Sequence, residues 1–336
     1  MNIAINGFGR IGRCFLRAVL LDPIASKKLN VAVINVGPCS IKNTAHTFAY
    51  DSVMGAYPGI VRMEGNILHI DNHEIEIIAE ADPKNINWQQ WDIEWVVESS
   101  GHFTHREKAE LHIDKAGAKN VLITAPAKGD IVTIIPGINM QDYNTKKDHI
   151  VSLGSCTTNA VVPLLKVLHD VFTLEQAFMT SIHAYTNSQS VLDSQDGDVR
   201  KSRAAAINII PTTTGASRVV TEVLPFMQNK FEGIAIRVPV AKVSLIDLVF
   251  HTKKELTVSA INENLEKAAT KDFSKIVAFT KEELVSSDYV NNPHSVIVDG
   301  PLTSANGTMG KIFGWYDNEW GYSERLKDFL LYAQQN

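Results

Sequence analysis

Asn2-Ile3-Ala4-Ile5-Asn6-Gly7-Phe8-Gly9-Arg10-Ile11-Gly12 is the stretch whose reading decides the fold. The run 2–5 is strand-like. Residues 11–21 carry Ile11, Phe15, Ala18 and Val19 at helical spacing, so a helix is expected there. Gly7-x-Gly9-x-x-Gly12 joins the two. Gly7 permits a tight turn, Gly9 lets a pyrophosphate approach the backbone, and Gly12 lets helix and strand pack closely. The anion then lies on the helix N-terminus. A glycine-rich turn alone is weak evidence; the strand–turn–helix context makes this one a dinucleotide-binding fingerprint.

Working outward, a second strand is expected at 31–36, and further strands at 67–70, 74–79, 95–98, 120–124 and 132–136. A helix over 106–116 separates two of them. Alternating strands and helices imply a mainly parallel, doubly wound sheet. The second strand should end in an acid that holds the adenosine ribose, yet Val36-Gly37-Pro38 stands there.

The whole chain has 336 residues, which suggests two domains. Apolar content of 45% and charged content of 21% are those of a soluble globular protein. A net charge of -5 argues against nucleic acid as the main partner. Three cysteines, none closely paired, argue for a reducing compartment. No apolar run is long enough to span a bilayer, and the chain opens on a strand with no signal peptide before it, so a cytoplasmic protein is expected.

From about residue 151 the pattern changes to strands of a mixed or antiparallel sheet, at 179–183, 234–238, 242–251, 295–299 and 309–316, with helices on one side and a final helix over 323–335. Ser155-Cys156-Thr157-Thr158-Asn159 lies between a strand-like run, 149–152, and a helix-like run, 161–168. A thiol at a helix N-terminus is biased toward thiolate, the nucleophilic form. Taken alone, a small buried cysteine is the plainer reading. His183 ends a strand 27 residues later and meets Cys156 only through the fold; a cysteine–imidazole pair gives a nucleophile and a general base together. Thr186, the run Thr212-Thr213-Thr214-Gly215 and Arg237 offer the hydroxyls, backbone N–H groups and guanidinium that phosphate oxygens need, although a threonine run is also an ordinary helix cap.

Together with Ala125-Pro126-Ala127-Lys128, Arg237-Val238-Pro239 and the segment from Trp315 to Tyr322, these motifs resemble the phosphorylating glyceraldehyde-3-phosphate dehydrogenase family along almost the whole chain. The resemblance implies a Rossmann-type domain over 1–155, completed by a C-terminal helix over 318–336. It implies an α+β catalytic domain over 156–317 with a mixed, largely antiparallel sheet. The implied reaction oxidises glyceraldehyde 3-phosphate to 1,3-bisphosphoglycerate, a step of glycolysis and gluconeogenesis. Cys156 would form a thiohemiacetal and then a thioester, with His183 holding the thiolate as an ion pair and acting as base. Inorganic phosphate would release the thioester. The resemblance assigns Thr186 and Arg237 to the substrate phosphate, and Ser155, Thr157, Thr214 and Gly215 to the attacking phosphate. Gly7, Phe8, Gly9, Arg10, Ile11, Gly12, Asn35, Ser100, Thr124, Asn318 and Tyr322 fall to the cofactor. No metal is needed. A homotetramer is implied, with the loop over 188–203 reaching toward a neighbouring subunit.

Several positions depart from the family pattern. Val36 replaces the Asp of NAD-specific members, and Ser194-Gln195 replaces Leu-Pro in the intersubunit loop. Loss of an acid relaxes the rejection of a 2′-phosphate, and Ser40 and Lys42 lie near enough to help, so use of both NAD and NADP is expected. Ala81 points the other way, because the family often has arginine there. Lys201 replaces an arginine, Ser188 an acid, and Ser152-Leu153-Gly154 the usual Ser-Asn-Ala, for which local repacking is expected. Erythrose-4-phosphate dehydrogenase is the alternative on the same fold, but that group tends to lose the threonine kept here as Thr186. Aspartate-semialdehyde dehydrogenase also pairs a cysteine with a histidine, but leaves the 315–322 segment unexplained. A secondary binding role on this fold is the third reading.

Overall fold

A computed structural model describes residues 1–195 and 197–336, and these divide into two compact units. The first comprises residues 1–134, 139–154 and 323–336, and the second residues 135–138 and 155–322. The sequence reading instead divided the chain at 155/156 and began the returning segment at 318. By packing, Ser155 and residues 318–322 lie with the second unit.

In the first unit β1 (Asn2–Asn6) leads into α1 (Arg10–Leu20), and a four-residue α2 (Ala25–Lys28) precedes β2 (Asn30–Asn35). Then come α3 (Thr44–Ala49), β3 (Val61–Glu64), β4 (Ile67–Ile70), β5 (His73–Ile78) and β6 (Trp95–Glu98). Two short helices, α4 (Arg106–Ala109) and α5 (Leu111–Asp114), precede β7 (Asn120–Ile123), β8 (Val132–Thr133) and β9 (Ile150–Ser152). The sheet order is β3-β4-β5-β2-β1-β6-β7-β9-β8. From β5 to β8 every pairing is parallel, while β3 and β4 add an antiparallel edge. Strand order reverses at β1, so the crevice for a ligand opens at the C-terminal ends of β1, β2 and β6.

The helix expected over 106–116 is broken. Lys108 N and Ile113 N make tight bonds to His105 O (3.0 Å) and Glu110 O (2.9 Å), and Gly117 at φ +80° ends the run. The strand expected over 132–136 stops at Thr133, because its partner β9 stops at Ser152. The β3 edge was not anticipated from the sequence.

The second unit opens with α6 (Cys156–Phe172) and β10 (Leu174–Ala184). Next are β11 (Ile210–Thr213), α7 (Ala216–Val223), β12 (Phe231–Val238), β13 (Ser244–Thr252), α8 (Val258–Thr270) and β14 (Val277–Thr280). It closes with β15 (Val296–Asp299), β16 (Ser304–Asn306) and β17 (Met309–Tyr316). The order is β11-β12-β10-β13-β17-β15-β14, with β16 beside β17. β10–β12 and β14–β15 are parallel and the other pairings antiparallel, so the sheet is mixed. Ala160, Val161, Leu164, Leu165 and Leu168 of α6 are buried in one core with Met179, Ile246, Leu248 and Ile312 of the strands. α8 and β14 were not read from the sequence.

The last helix, α9 (Trp320–Ala333), carries the chain back to the first unit, where Phe329 packs edge-on against Trp95 and Tyr143 and Lys327 pairs with Asp22 (2.9 Å). Among the described residues, no helix is long and apolar enough to cross a membrane. Nor do any three His, Cys, Asp or Glu side chains group so as to hold a metal ion.

Candidate active site

Cys156 is the first residue of α6, and its placement follows from the local sequence. Ser155 caps the helix: its Oγ accepts from Thr158 N (3.2 Å), and Thr158 Oγ1 accepts from Ser155 N (2.7 Å). This reciprocal pair satisfies two of the backbone donors that a helix start leaves open. Asn159 Nδ2 also donates to Ser155 O (2.9 Å). The sulfur is thereby fixed at the positive end of a 17-residue helix.

His183 arrives from the end of β10, and its Nε2 lies 3.5 Å from Cys156 Sγ. Its Nδ1 lies between Ala184 O (2.7 Å), which only accepts, and Arg237 Nη1, which only donates; the tautomer with its proton on Nδ1 leaves Nε2 as the acceptor facing the thiol. Tyr316 supports both groups from behind. It is fully buried at the end of β17, its hydroxyl contacts Thr157 Oγ1 (3.1 Å) and Ser181 Oγ (2.9 Å), and its ring meets the imidazole edge-on.

Arg237 is the direct neighbour of His183 on the parallel strand β12. Its Nη1 donates to Ala184 O (3.1 Å) and stands 2.5 Å from His183 Nδ1. Burial, and then this guanidinium, hold the imidazole down at about 3. Burial also pushes the Cys156 thiol up, against the opposing pull of Arg237. Burial thus favours the neutral form of each group in the free chain.

Ser244 ties the far side together. Its Oγ accepts from Ala184 N (3.1 Å) and donates to Asn318 Oδ1 (3.2 Å). Asn318 stands next to Asp317, whose buried carboxylate pairs with Lys242 (3.0 Å) and accepts from Glu319 N and Trp320 N. Val243, between Lys242 and Ser244, has φ +67°, an unfavourable backbone for a β-branched residue that these flanking contacts hold in place. Tyr322 is buried, and burial raises its phenol well above the ordinary value.

The other expected phosphate groups are less concentrated. Thr186 bonds Ser188 (2.9 Å), Thr214 Oγ1 accepts from Ala216 N (3.2 Å), and Gly215 is the exposed cap of α7. In the loop over 188–203, Lys201 pairs with Asp198 (3.6 Å) and Ser194 with Ser190 (2.6 Å); residue 196 lies outside the described residues. Tyr316, Ser181, Ser244 and Lys242 were not singled out from the sequence. The only signal for Tyr316 was its position in the 315–322 segment.

In the first unit, Asn6, Gly7, Phe8, Gly9, Asn35, Val36 and Ser100 line a crevice of about 650 Å³. Gly7 adopts φ +93°, and a Cβ there would lie 2.5 Å from Ser100 Cα. A Cβ on Gly12 would lie 2.3 Å from Gly7 O, whereas one on Gly9 would meet nothing within 4 Å. The first two glycines are thus required by close backbone approach, while Gly9 keeps one wall of the crevice open. No side chain caps α1 and no acid lies in its first turn, so its N–H groups are open to an anion. The backbone of Arg10 and Ile11 belongs to this turn, but the Arg10 guanidinium is committed to Asp51. Thr124 is half-buried at the end of β7 and donates from N and Oγ1 to Glu98 O.

Comparison with known proteins agrees with both halves. The profile for the glyceraldehyde 3-phosphate dehydrogenase NAD binding domain matches residues 1–106, and that for the C-terminal domain matches residues 155–318. The chain belongs to the glyceraldehyde 3-phosphate dehydrogenase family. Glyceraldehyde-3-phosphate dehydrogenase of Geobacillus stearothermophilus is 44% identical over 334 residues, covering 99% of this chain and 98% of the relative. That of Priestia megaterium is also 44% identical over 334 residues, again 99% and 98%. That of Zymomonas mobilis is 43% identical over 331 residues, covering 98% and 97%. In family terms the glycine-rich crevice belongs to an NAD-binding Rossmann domain of an oxidoreductase, and Cys156, His183 and Arg237 lie in the region matched by the C-terminal domain.

Proposed function

We propose that this chain oxidises glyceraldehyde 3-phosphate with inorganic phosphate to 1,3-bisphosphoglycerate. The observation that carries the reading is the contact of Cys156 Sγ with His183 Nε2 at 3.5 Å, with Arg237 on the adjoining strand. As Sγ attacks the aldehyde carbon, the thiol proton passes to Nε2 and from there to the new alkoxide, which gives a thiohemiacetal and returns the imidazole to its neutral form. The open N–H groups at the start of α6 stabilise the developing oxyanion. The dinucleotide, when bound, supplies the hydride acceptor. His183 Nε2 takes the hydroxyl proton, and Cys156 is left as a thioester. A phosphate oxygen then attacks the thioester carbon, the C–S bond breaks, and the acyl phosphate leaves Cys156 as thiolate.

Arg237 is the cation best placed for the substrate phosphate, assisted by Thr186. Ser155, Thr157, Thr214 and Gly215 are proposed for the attacking phosphate. Asn318, held by Ser244, and Tyr322 are proposed to meet the nicotinamide end of the dinucleotide. Gly7 to Gly12 would take its pyrophosphate, and Asn35, Ser100 and Thr124 the rest.

We further propose that NAD and NADP are both accepted. The crevice wall at the tip of β2 is Val36-Gly37-Pro38-Cys39-Ser40, with Thr44 and Thr47 beside it, and it has no acid at position 36. Hydroxyls are available to a 2′-phosphate, but among the described residues no lysine lines the crevice. Self-association is supported by the uncovered face of the second sheet, where Phe178 is 62% and Ile234 54% exposed.

The test is the initial rate with glyceraldehyde 3-phosphate and inorganic phosphate, run with NAD and NADP, with Cys156→Ser as control. Phosphate-dependent reduction lost in the variant supports the reading. A large, clean preference for NAD would sink dual use. No rate with either dinucleotide would turn the search to erythrose 4-phosphate and then to a binding role.

A further inference from the structure

Glu98, at the end of β6, is a carboxylate with no exposed side-chain surface and no cation among its hydrogen-bond partners. It accepts instead from four neutral donors. Oε1 takes Ser100 N (2.8 Å) and Ser100 Oγ (2.5 Å). Oε2 takes Asn6 Nδ2 (2.5 Å) and His112 Nε2 (3.1 Å). Trp88 Nε1 donates to His112 Nδ1 (3.3 Å), so the imidazole is neutral and carries its proton on Nε2. A buried charge is tolerated only when its acceptor capacity is filled in this way.

From Glu98 the network runs to both walls of the dinucleotide crevice. On one side, the bond from Asn6 Nδ2 fixes that amide, whose Oδ1 accepts from Asn35 Nδ2 (2.7 Å). Asn35 in turn receives Gly37 N (3.1 Å) and Glu80 N (2.9 Å) on Oδ1 and donates to Glu80 O (2.8 Å). The tips of β2 and β5 are thereby clamped together. On the other side, Ser100 Oγ accepts from His102 N (3.1 Å) while it donates to Glu98, which sets the turn after β6. Gly37, Glu80, Ser100 and His102 all line the crevice, whereas Glu98 and His112 do not.

We infer that the Glu98–His112 pair is a positioning device for the dinucleotide: one buried carboxylate sets the spacing of the two crevice walls. The inference rests on the cofactor reading above. A glutamine at 98 must turn an NH₂ group toward donors on one side or the other, because Trp88 holds His112 in the tautomer that donates. One arm of the network is then broken whichever way the amide points.

The test is steady-state kinetics of the full-length protein with NAD and with NADP, alongside calorimetric titration of both dinucleotides. Glu98→Gln is expected to raise the dinucleotide KM about tenfold, the loss of one hydrogen bond to a charged group, with the aldehyde KM within about twofold. His112→Ala should raise the dinucleotide KM several-fold, and His112→Gln, which restores a donor to Glu98, should return it toward the parent. A folded Glu98→Gln protein with an unchanged dinucleotide KM, or with the aldehyde KM raised equally, overturns the inference. If Glu98→Gln does not fold, the two His112 variants decide: equal dinucleotide KM values for Ala and Gln overturn it. A parent that titrates with neither dinucleotide fails the cofactor reading itself and removes this inference with it, a result distinct from any variant effect.

Discussion

Replacing His183 with asparagine should make the protein less sensitive to acid, and the sign of that effect tests the charge state of the Cys156–His183 pair. The imidazole is buried beside Arg237, and both effects hold it at about 3, against an ordinary value of 6.5. Below pH 6.5 the unfolded chain binds a proton that the folded chain refuses, so parent stability falls as the pH falls toward about 3. Linkage sets the slope at ~1.4 kcal/mol per pH unit inside that window. Asparagine does not titrate, and every other group cancels in the difference between the two proteins. The gap between parent and variant should therefore be constant above pH 7 and shift by ~2 kcal/mol against the parent by pH 5. Urea unfolding followed by tryptophan fluorescence at pH 7.5, 6.5, 5.75 and 5 measures it. Were the resting pair thiolate and imidazolium, the folded protein would hold its proton more tightly than the unfolded chain. The parent would then lose ground as the pH rises through 6.5, and a difference curve of that sign refutes the neutral pair.

Three further outcomes are expected. Tyr316→Phe removes the hydroxyl shared by Thr157 and Ser181 and should cost ~1–3 kcal/mol in urea unfolding, with a fall in kcat as the Cys156–His183 pair proposed for catalysis loosens; unchanged stability would show that the two hydroxyls re-pair. Lys242→Met leaves the Asp317 carboxylate buried without its cation and should cost ~3–5 kcal/mol, read as a lower unfolding midpoint; a neutral effect would mean that the backbone donors to Asp317 suffice. Gly7→Ala forces a side chain into left-handed backbone 2.5 Å from Ser100, so a loss of thermal stability together with weakened dinucleotide binding is expected, and a variant that binds normally would refute the close-approach reading.

Much of this architecture was legible in the sequence because its signals are local. The glycine spacing from Gly7 to Gly12 reports on one turn and one helix, and a cysteine before a helical run marks a helix start. The pairing of Cys156 with His183 was legible only through the family resemblance, since the two lie 27 positions apart with a helix and a strand between them. The supporting groups were illegible for a different reason. Tyr316 reaches Thr157 across 159 positions, and Glu98 reaches Asn6 across 92. Neither contact leaves a periodicity behind, because a buried acceptor is recognised by its donors and not by its neighbours in the chain. The break at Glu110 inside 106–116 was illegible because tight turns and a helix draw on the same residue types, and no glycine or proline marks the point.

The pairing of His183 with Arg237 on parallel strands has a consequence for how this chain tolerates change in length. Successive side chains of a strand alternate between faces, so one residue inserted in the first half of β12 would turn the Arg237 guanidinium to the opposite face and bring Ile236 beside the imidazole. Two residues would restore the side but move the cation along the strand. Natural or engineered variation in β12 is therefore confined by parity, and length changes on this edge of the sheet must be absorbed in the loops before Phe231 or after Val238.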